Sequence, residues 1–146
     1  MEAVEASPIR NMKRLRRPRV LVVDDDPNVR LLCATNLRLD GFDVIEAGDG
    51  QEGLERVDED APDLVLLDIR MPVLDGFELA TAVRRNHRTR HVPLVFLTGE
   101  ATPDAAERAV AIGAVGYFTK PFDPAAVSRF ISDILSGTQP TPDAVA

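Results

Sequence analysis

The chain holds one cysteine, Cys33, and one tyrosine, Tyr117, in 146 residues, and it has no tryptophan. A single thiol closes no disulfide within the chain and builds no thiolate metal cage, so a reducing, cytoplasmic setting is expected. No apolar run approaches the ~20 residues of a membrane-spanning helix, and the N-terminus lacks the apolar core of a signal peptide. No membrane partner is therefore expected. Internal repeats and low-complexity stretches are absent as well. What is present is ordinary for a globular domain: 45% hydrophobic and 28% charged residues, in a chain long enough for one real core and too short for two.

Charge is unevenly spread. Residues 1–19 carry Arg10, Lys13, Arg14, Arg16, Arg17 and Arg19 against Glu2 and Glu5; with +4 on this arm and −7 on the whole chain, the rest holds −11. An acidic body gives no general reason to bind nucleic acid, and a short basic tail is most simply a solvated one. The organisation expected is a flexible basic arm over 1–19, a globular body over 20–136, and a flexible tail over 137–146 with two prolines and no apolar period.

Five short apolar runs recur: Val20 to Val23, Val44-Ile45, Leu64 to Leu67, Leu94 to Leu97, and Val115 to Phe118. Four of them lack polar alternation, as strands covered on both faces do. Helical segments with recognisable stops lie between them. Asp26-Pro27 and Thr102-Pro103 read as N-cap and first helical position, while Gly113 and Gly137 sit where helices should end. Val127, Phe130, Ile131 and Ile134 form an i, i+3, i+4, i+7 stripe on the last helix. Cys33 shares the apolar stripe of the first helix with Val29 and Leu37 and reads as core. The alternation of strand and helix, five times over, predicts an α/β fold: a doubly wound, five-stranded parallel sheet with five helices.

In such a sheet ligands gather at the carboxyl ends of the strands, near the point where strand order reverses. The first strand ends in Asp24-Asp25-Asp26, the third in Asp68, the fourth in Thr98-Gly99 and the fifth in Lys120-Pro121. Carboxylates brought together raise one another's pKa unless a cation neutralises them, and Mg²⁺ favours one or two carboxylates plus waters and phosphate oxygens. The set suits phosphoryl transfer, with an aspartate nucleophile, a metal on the phosphoryl oxygens, and a lysine and a hydroxyl on the others. Asp26 itself reads as a helix cap.

The stretches VLVVDDD, LLDIRMPVLDG, FLTGE and GYFTKPF resemble the receiver domain of two-component response regulators over about residues 19 to 136. The resemblance implies the flavodoxin-like and CheY-like strand order 2-1-3-4-5. It implies that Asp68 accepts a phosphoryl group from a histidine kinase or a histidine phosphotransfer protein. It also implies that Asp25 and Asp24, Asp68 itself and the backbone carbonyl of Arg70 hold Mg²⁺, and that Thr98 and Lys120 take phosphoryl oxygens. Gly99 keeps the space beside Asp68 small, the Lys120–Pro121 bond is cis, and Thr98 with Tyr117 forms a switch pair acting on the surface of the fourth helix, fifth strand and fifth helix. Tyr117 has a second reading, as a core tyrosine with its hydroxyl at the rim. Arg70 and Glu100, each two positions past a key residue, are expected to pair over the site and tune the phosphoryl lifetime. Leu31, which points away from the core stripe, and Pro121 and Phe122 are expected docking positions.

His87 and His91, four apart in RRNHRTRHVP, could suit a metal on a helix, but the segment lacks an apolar stripe and ends at Pro93, so a solvated helix end is expected. The arginines there, Arg84, Arg85, Arg88 and Arg90, suit a helix C-terminus. The favoured reading is a single-domain response regulator with a downstream protein target, no direct DNA binding, no turnover of an external substrate, and a phosphorylation-dependent dimer among its states. Two alternatives stand beside it. One is a receiver belonging to a larger hybrid kinase or multidomain regulator. The other is a Mg²⁺-dependent phosphatase of the haloacid dehalogenase type, whose opening motif Asp24-x-Asp26 resembles, although Asn28 stands where that motif wants Thr or Val.

Overall fold

A computed structural model describes residues 16–137. Its elements run β1 (Arg19–Val23), α1 (Pro27–Leu39), β2 (Asp43–Ala47), α2 (Gly50–Asp60), β3 (Leu64–Leu67), α3 (Gly76–Arg85), β4 (Leu94–Thr98), α4 (Pro103–Ala111), β5 (Gly116–Thr119) and α5 (Pro124–Ser136). The strands form one sheet in the order β2-β1-β3-β4-β5, with every neighbouring pair parallel. The strand order and the helix count are those expected from the sequence.

Alternate residues of each central strand feed two separate cores. Leu21, Val23, Val65, Leu67, Leu94 and Phe96 pack with Val57 of α2, Leu79 and Val83 of α3 and Ala105 and Ala109 of α4. Val20, Val22, Leu64, Leu66, Val95 and Leu97 pack with Cys33 and Leu37 of α1 and Val127, Phe130 and Ile131 of α5. Each fully buried side chain of this size contributes about 1.5–3 kcal/mol, so both faces of the strands must be apolar. That explains runs without alternation. Cys33 lies in the second core, where burial pushes its thiol up to about 12, and it is inert there.

The helix starts follow the local chemistry. Asp26 Oδ1 accepts from the Asn28 N–H at 2.9 Å, and Thr102 Oγ1 accepts from the Ala105 N–H at 3.1 Å, each ahead of a proline in the first turn. Gly137 ends α5 at φ 79°, a left-handed cap that suits glycine.

Two expectations need correction. The arm was expected to be flexible through residue 19, but Arg19 opens β1; its N–H donates to Asp63 Oδ2 at 2.7 Å, and Arg16 pairs with Asp63 Oδ1 at 3.6 Å. Two carboxylate contacts hold the end of that segment on the body. The rest of the arm, and the tail from 138, lie outside the described residues.

His87 and His91 are not on a helix end, because α3 stops at Arg85. Asn86 takes extended backbone, with φ −92° and ψ 117°, and its Oδ1 and carbonyl accept the N–H groups of Arg88, Thr89 and Arg90. Thr89 Oγ1 then donates to the Val83 carbonyl at 2.8 Å. Both histidines are solvent-exposed, as expected, but they lie in a turn and not on the helix.

Candidate functional site

The site is built where strand order reverses, between β1 and β3. Each strand's ladder continues one residue beyond its end: the Asp24 N–H donates to the Ala47 carbonyl at 3.2 Å, and the Asp68 N–H to the Val23 carbonyl at 3.0 Å. The backbone of both aspartates is thus part of the sheet, and their side chains are aimed by it. Both are buried, whereas Asp25 is exposed. One carboxylate oxygen from each of Asp24, Asp25 and Asp68 lies within 4.8 Å of the others.

Lys120 enters from the far side. Its N–H donates to the Thr98 carbonyl at 2.9 Å and its bond to Pro121 is cis. From there Nζ reaches Asp24 Oδ2 at 3.1 Å and Asp68 Oδ2 at 3.2 Å. The remaining carboxylate oxygens are also engaged. Asp24 Oδ1 accepts from the Asp26 N–H at 2.9 Å, and Asp68 Oδ1 from the Ile69 N–H at 2.7 Å.

These contacts set the electrostatics. Burial raises the Asp24 carboxyl above its ordinary value, and repulsion from Asp68 adds to this; the Asp26 N–H and Lys120 oppose it. Burial works to lower the Lys120 ammonium, but its bonds and charge contacts with Asp24 and Asp68 outweigh that and leave it raised. One ammonium therefore serves two buried carboxylates, and the cluster remains rich in negative charge. Three hard oxygen donors with one cation beside them fit a divalent metal such as Mg²⁺.

The fourth strand supplies the hydroxyl. Thr98 is fully buried, and its Oγ1 accepts from the Glu100 N–H at 3.1 Å. The Glu100 carbonyl in turn accepts from the Tyr117 hydroxyl, and Glu100 Oε2 accepts from Arg70 Nε at 2.8 Å. Tyr117 is half-buried with its ring against the first core. Burial raises its phenol, helped by Glu100. The expected Arg70–Glu100 pair is thus formed. Asp68, Arg70, Gly99, Glu100, Thr102 and Lys120 line one groove, and a Cβ on Gly99 would meet nothing within 4 Å.

Leu31 is 58% exposed on α1 and Pro121 is exposed, whereas Phe122 is half-buried and packs against the second core.

Three features of the site went unread in the sequence. Gly76 touches the backbone of Asp68: a Cβ there would lie 2.1 Å from the Asp68 carbonyl oxygen. Asp75 and Glu78 form a reciprocal capping box that fixes the start of α3 beside it, a signature visible as D-x-x-E. Val73 sits at φ 70° in a tight turn closed by the Leu74 N–H on the Pro72 carbonyl at 2.8 Å.

The profile of the response regulator receiver domain matches residues 20–132, and the chain belongs to that family. Receiver domains are signalling switches of two-component systems, which interact with histidine kinases and bind Mg²⁺ at an acidic pocket. Membership leaves the aspartate-nucleophile phosphatase without support. Among curated proteins, the chain is 35% identical over 127 residues to the DNA-binding dual master transcriptional regulator RpaA of Synechocystis, covering 87% of this chain and 53% of that protein. It is 44% identical over 105 residues to the transcriptional regulatory protein PrrA of Mycobacterium tuberculosis, covering 72% of this chain and 44% of that one. Among solved structures it resembles the chemotaxis response regulator CheY4 of Vibrio cholerae, with a TM-score of 0.76, 32% identity, and 82% of this chain and 99% of that chain covered.

The chain spans about half the length of the curated relatives it matches. The expectation of no direct DNA binding is not supported, since those relatives are named as transcriptional regulators and one as DNA-binding. Among the described residues, no helix is long and apolar enough to cross a membrane.

Proposed function

We propose that the chain is a phosphorylation-activated switch that takes a phosphoryl group onto Asp68 from a histidine kinase or a histidine phosphotransfer protein. The observation that carries this reading is the single ammonium of Lys120 set 3.1 and 3.2 Å from two buried carboxylates on different strand ends. In the transfer, an Asp68 oxygen attacks phosphorus, the P–N bond to the donor histidine breaks, and the nitrogen keeps the electron pair as imidazole. Asp68 acts from a backbone locked into the sheet, so little reorganisation is needed. Lys120 swings its ammonium from the free carboxylate to a phosphoryl oxygen. Thr98 donates its hydroxyl to another, giving up the contact with the Glu100 N–H.

Asp24, Asp25 and Asp68, with the Arg70 carbonyl, would hold Mg²⁺, which supplies neutralisation of the charge on the phosphoryl oxygens. Movement of Thr98 disturbs Glu100, and Glu100 holds Tyr117 through its carbonyl. The α4–β5–α5 surface is thereby tied to the site as a two-state element, and a downstream partner, or a second copy of the chain, reads it there.

A second reading, in which this is the receiver portion of a longer regulator, is favoured by the length of the curated relatives. In both readings the chemistry at Asp68 is the same. The switch is tested by adding beryllofluoride and Mg²⁺ to the ¹⁵N-labelled chain. Amide shifts concentrated on α4, β5 and α5, and absent in Asp68→Asn, are expected; shifts confined to residues touching Asp68 would refute it.

A further inference from the structure

Arg30 stands behind the acidic cluster, on the second turn of α1, and the reading above gives it no role. Its NH1 donates to the backbone carbonyl of Asp24 at 2.7 Å, while its Nε lies 3.4 Å from Glu46 Oε1 on β2. Glu46 is held on its other oxygen by Arg38 NH2 at 3.2 Å. The guanidinium is therefore fixed at one end by a carboxylate from a neighbouring strand, and it presents its other end to the peptide that follows Asp24. That peptide links Asp24 to Asp25, the two acidic residues at the end of β1.

The consequences are geometric. The Asp24 N–H is already held by the Ala47 carbonyl at 3.2 Å. With its carbonyl held by Arg30, the Asp24–Asp25 peptide has one settled orientation, and the direction in which the Asp25 carboxylate leaves the chain follows from it. Asp25 is exposed, so no packing fixes its side chain from outside. Lysine is the poorer candidate for this task, because a point charge cannot hold a carbonyl and a carboxylate in a fixed fork.

We propose that Arg30 is a positioning residue for the divalent-cation site, holding the Asp24–Asp25 peptide so that both carboxylates converge with Asp68. The inference rests on the metal-site reading of that cluster. Two effects of Arg30 on a bound cation oppose each other. Its positive charge repels a cation, whereas its orientation of the ligands favours one. The charge is spread over a guanidinium already paired with Glu46, which screens it, so orientation wins. Outer residues that orient metal ligands typically change affinity by about 10–100-fold when removed.

The test is calorimetric titration of MgCl₂ into the unphosphorylated chain, for wild type, Arg30→Met and Arg30→Lys, with thermal melts of each in EDTA. Arg30→Met is expected to weaken Mg²⁺ binding about tenfold, and Arg30→Lys, which can still reach the Asp24 carbonyl, is expected to recover at least part of the loss. A melting temperature lowered with Mg²⁺ affinity unchanged, or an affinity that rises, would overturn the proposal and leave Arg30 a structural or merely repulsive group. If Arg30→Met does not fold, Glu46→Gln decides instead: a weakening of at least threefold is expected, and unchanged affinity overturns the proposal. A wild-type chain that binds no Mg²⁺ would overturn the metal-site reading itself, an outcome distinct from both.

Discussion

Arg70 Nε donates to Glu100 Oε2 at 2.8 Å, joining the β3–α3 loop to the β4–α4 loop across the groove that contains Asp68. The Arg70 side chain is largely exposed, so the pair contributes little to stability. Any effect of the pair on the phosphoryl lifetime is thus expected to be steric, by covering a direction from which water would reach a phosphoryl group on Asp68. Arg70→Ala is therefore expected to shorten the aspartyl-phosphate half-life by about two- to threefold, the scale of a contact worth under ~1 kcal/mol. Decay of the phosphorylated chain, followed by intact mass, measures it; an unchanged half-life removes Arg70 from this role.

Asp24 ties stability to pH. Burial, and then Asp68, hold its carboxyl above the ordinary 3.8, so the folded chain keeps this proton to higher pH than the unfolded chain does. Without Mg²⁺, the contribution of Asp24 to stability then falls as pH rises from 3.8 through the raised value. Lys120 acts in the other range: its contribution is full below 10.5 and lost as pH rises through its higher folded value. Asp24→Asn is expected to flatten the acidic fall and to be more stable than wild type in EDTA at neutral pH. Urea unfolding across that range gives the answer, and parallel curves for the two proteins would contradict it.

Gly76 leaves no room for a side chain against the Asp68 carbonyl, where a Cβ would stand at 2.1 Å. Gly76→Ala must displace either α3 or the backbone of Asp68. A loss of about 1–3 kcal/mol is expected, together with slower phosphorylation by acetyl phosphate. A variant with wild-type stability and rate would show that the loop yields freely.

Val73 is 90% exposed at φ 70°, a conformation that β-branched residues avoid. With so much of its surface exposed, Val73 gains little packing among the described residues to offset the strain. Val73→Gly is expected to stabilise the chain by about 1 kcal/mol and to leave phosphorylation by acetyl phosphate unchanged. Lower stability in the glycine variant would mean that the isopropyl group makes a stabilising contact.

The parts of this molecule that could be read from sequence are those governed by neighbours along the chain. Apolar runs covered on both faces marked the strands, Asp26-Pro27 and Thr102-Pro103 marked helix starts, and the polar residues at or just past the strand ends marked Asp24, Asp25, Asp68, Thr98 and Lys120. Much of what escaped depends on contacts between different elements. Arg84 is an example: its guanidinium donates to the carbonyls of Arg90, Val92, Ile112 and Gly113, pinning the turn after α4 from the end of α3. In the sequence it is one basic residue among several near a helix end. Gly76 and Arg30 are similar, since the need for each arises from a backbone carbonyl outside its own helix, although that carbonyl is near in sequence. The end of α3 departs from expectation for the opposite reason, because Asn86 offers the backbone a local turn that a run of arginines and histidines does not reveal.

The central claim is that Asp68 is the phosphoacceptor and works with a divalent cation. The most direct measurement is intact mass after incubation with acetyl phosphate, with and without Mg²⁺, for wild type and Asp68→Asn. One added phosphoryl group on wild type, requiring Mg²⁺ and missing from Asp68→Asn, is the result expected. An adduct of the same mass on Asp68→Asn, or one formed equally well in EDTA, would contradict the account.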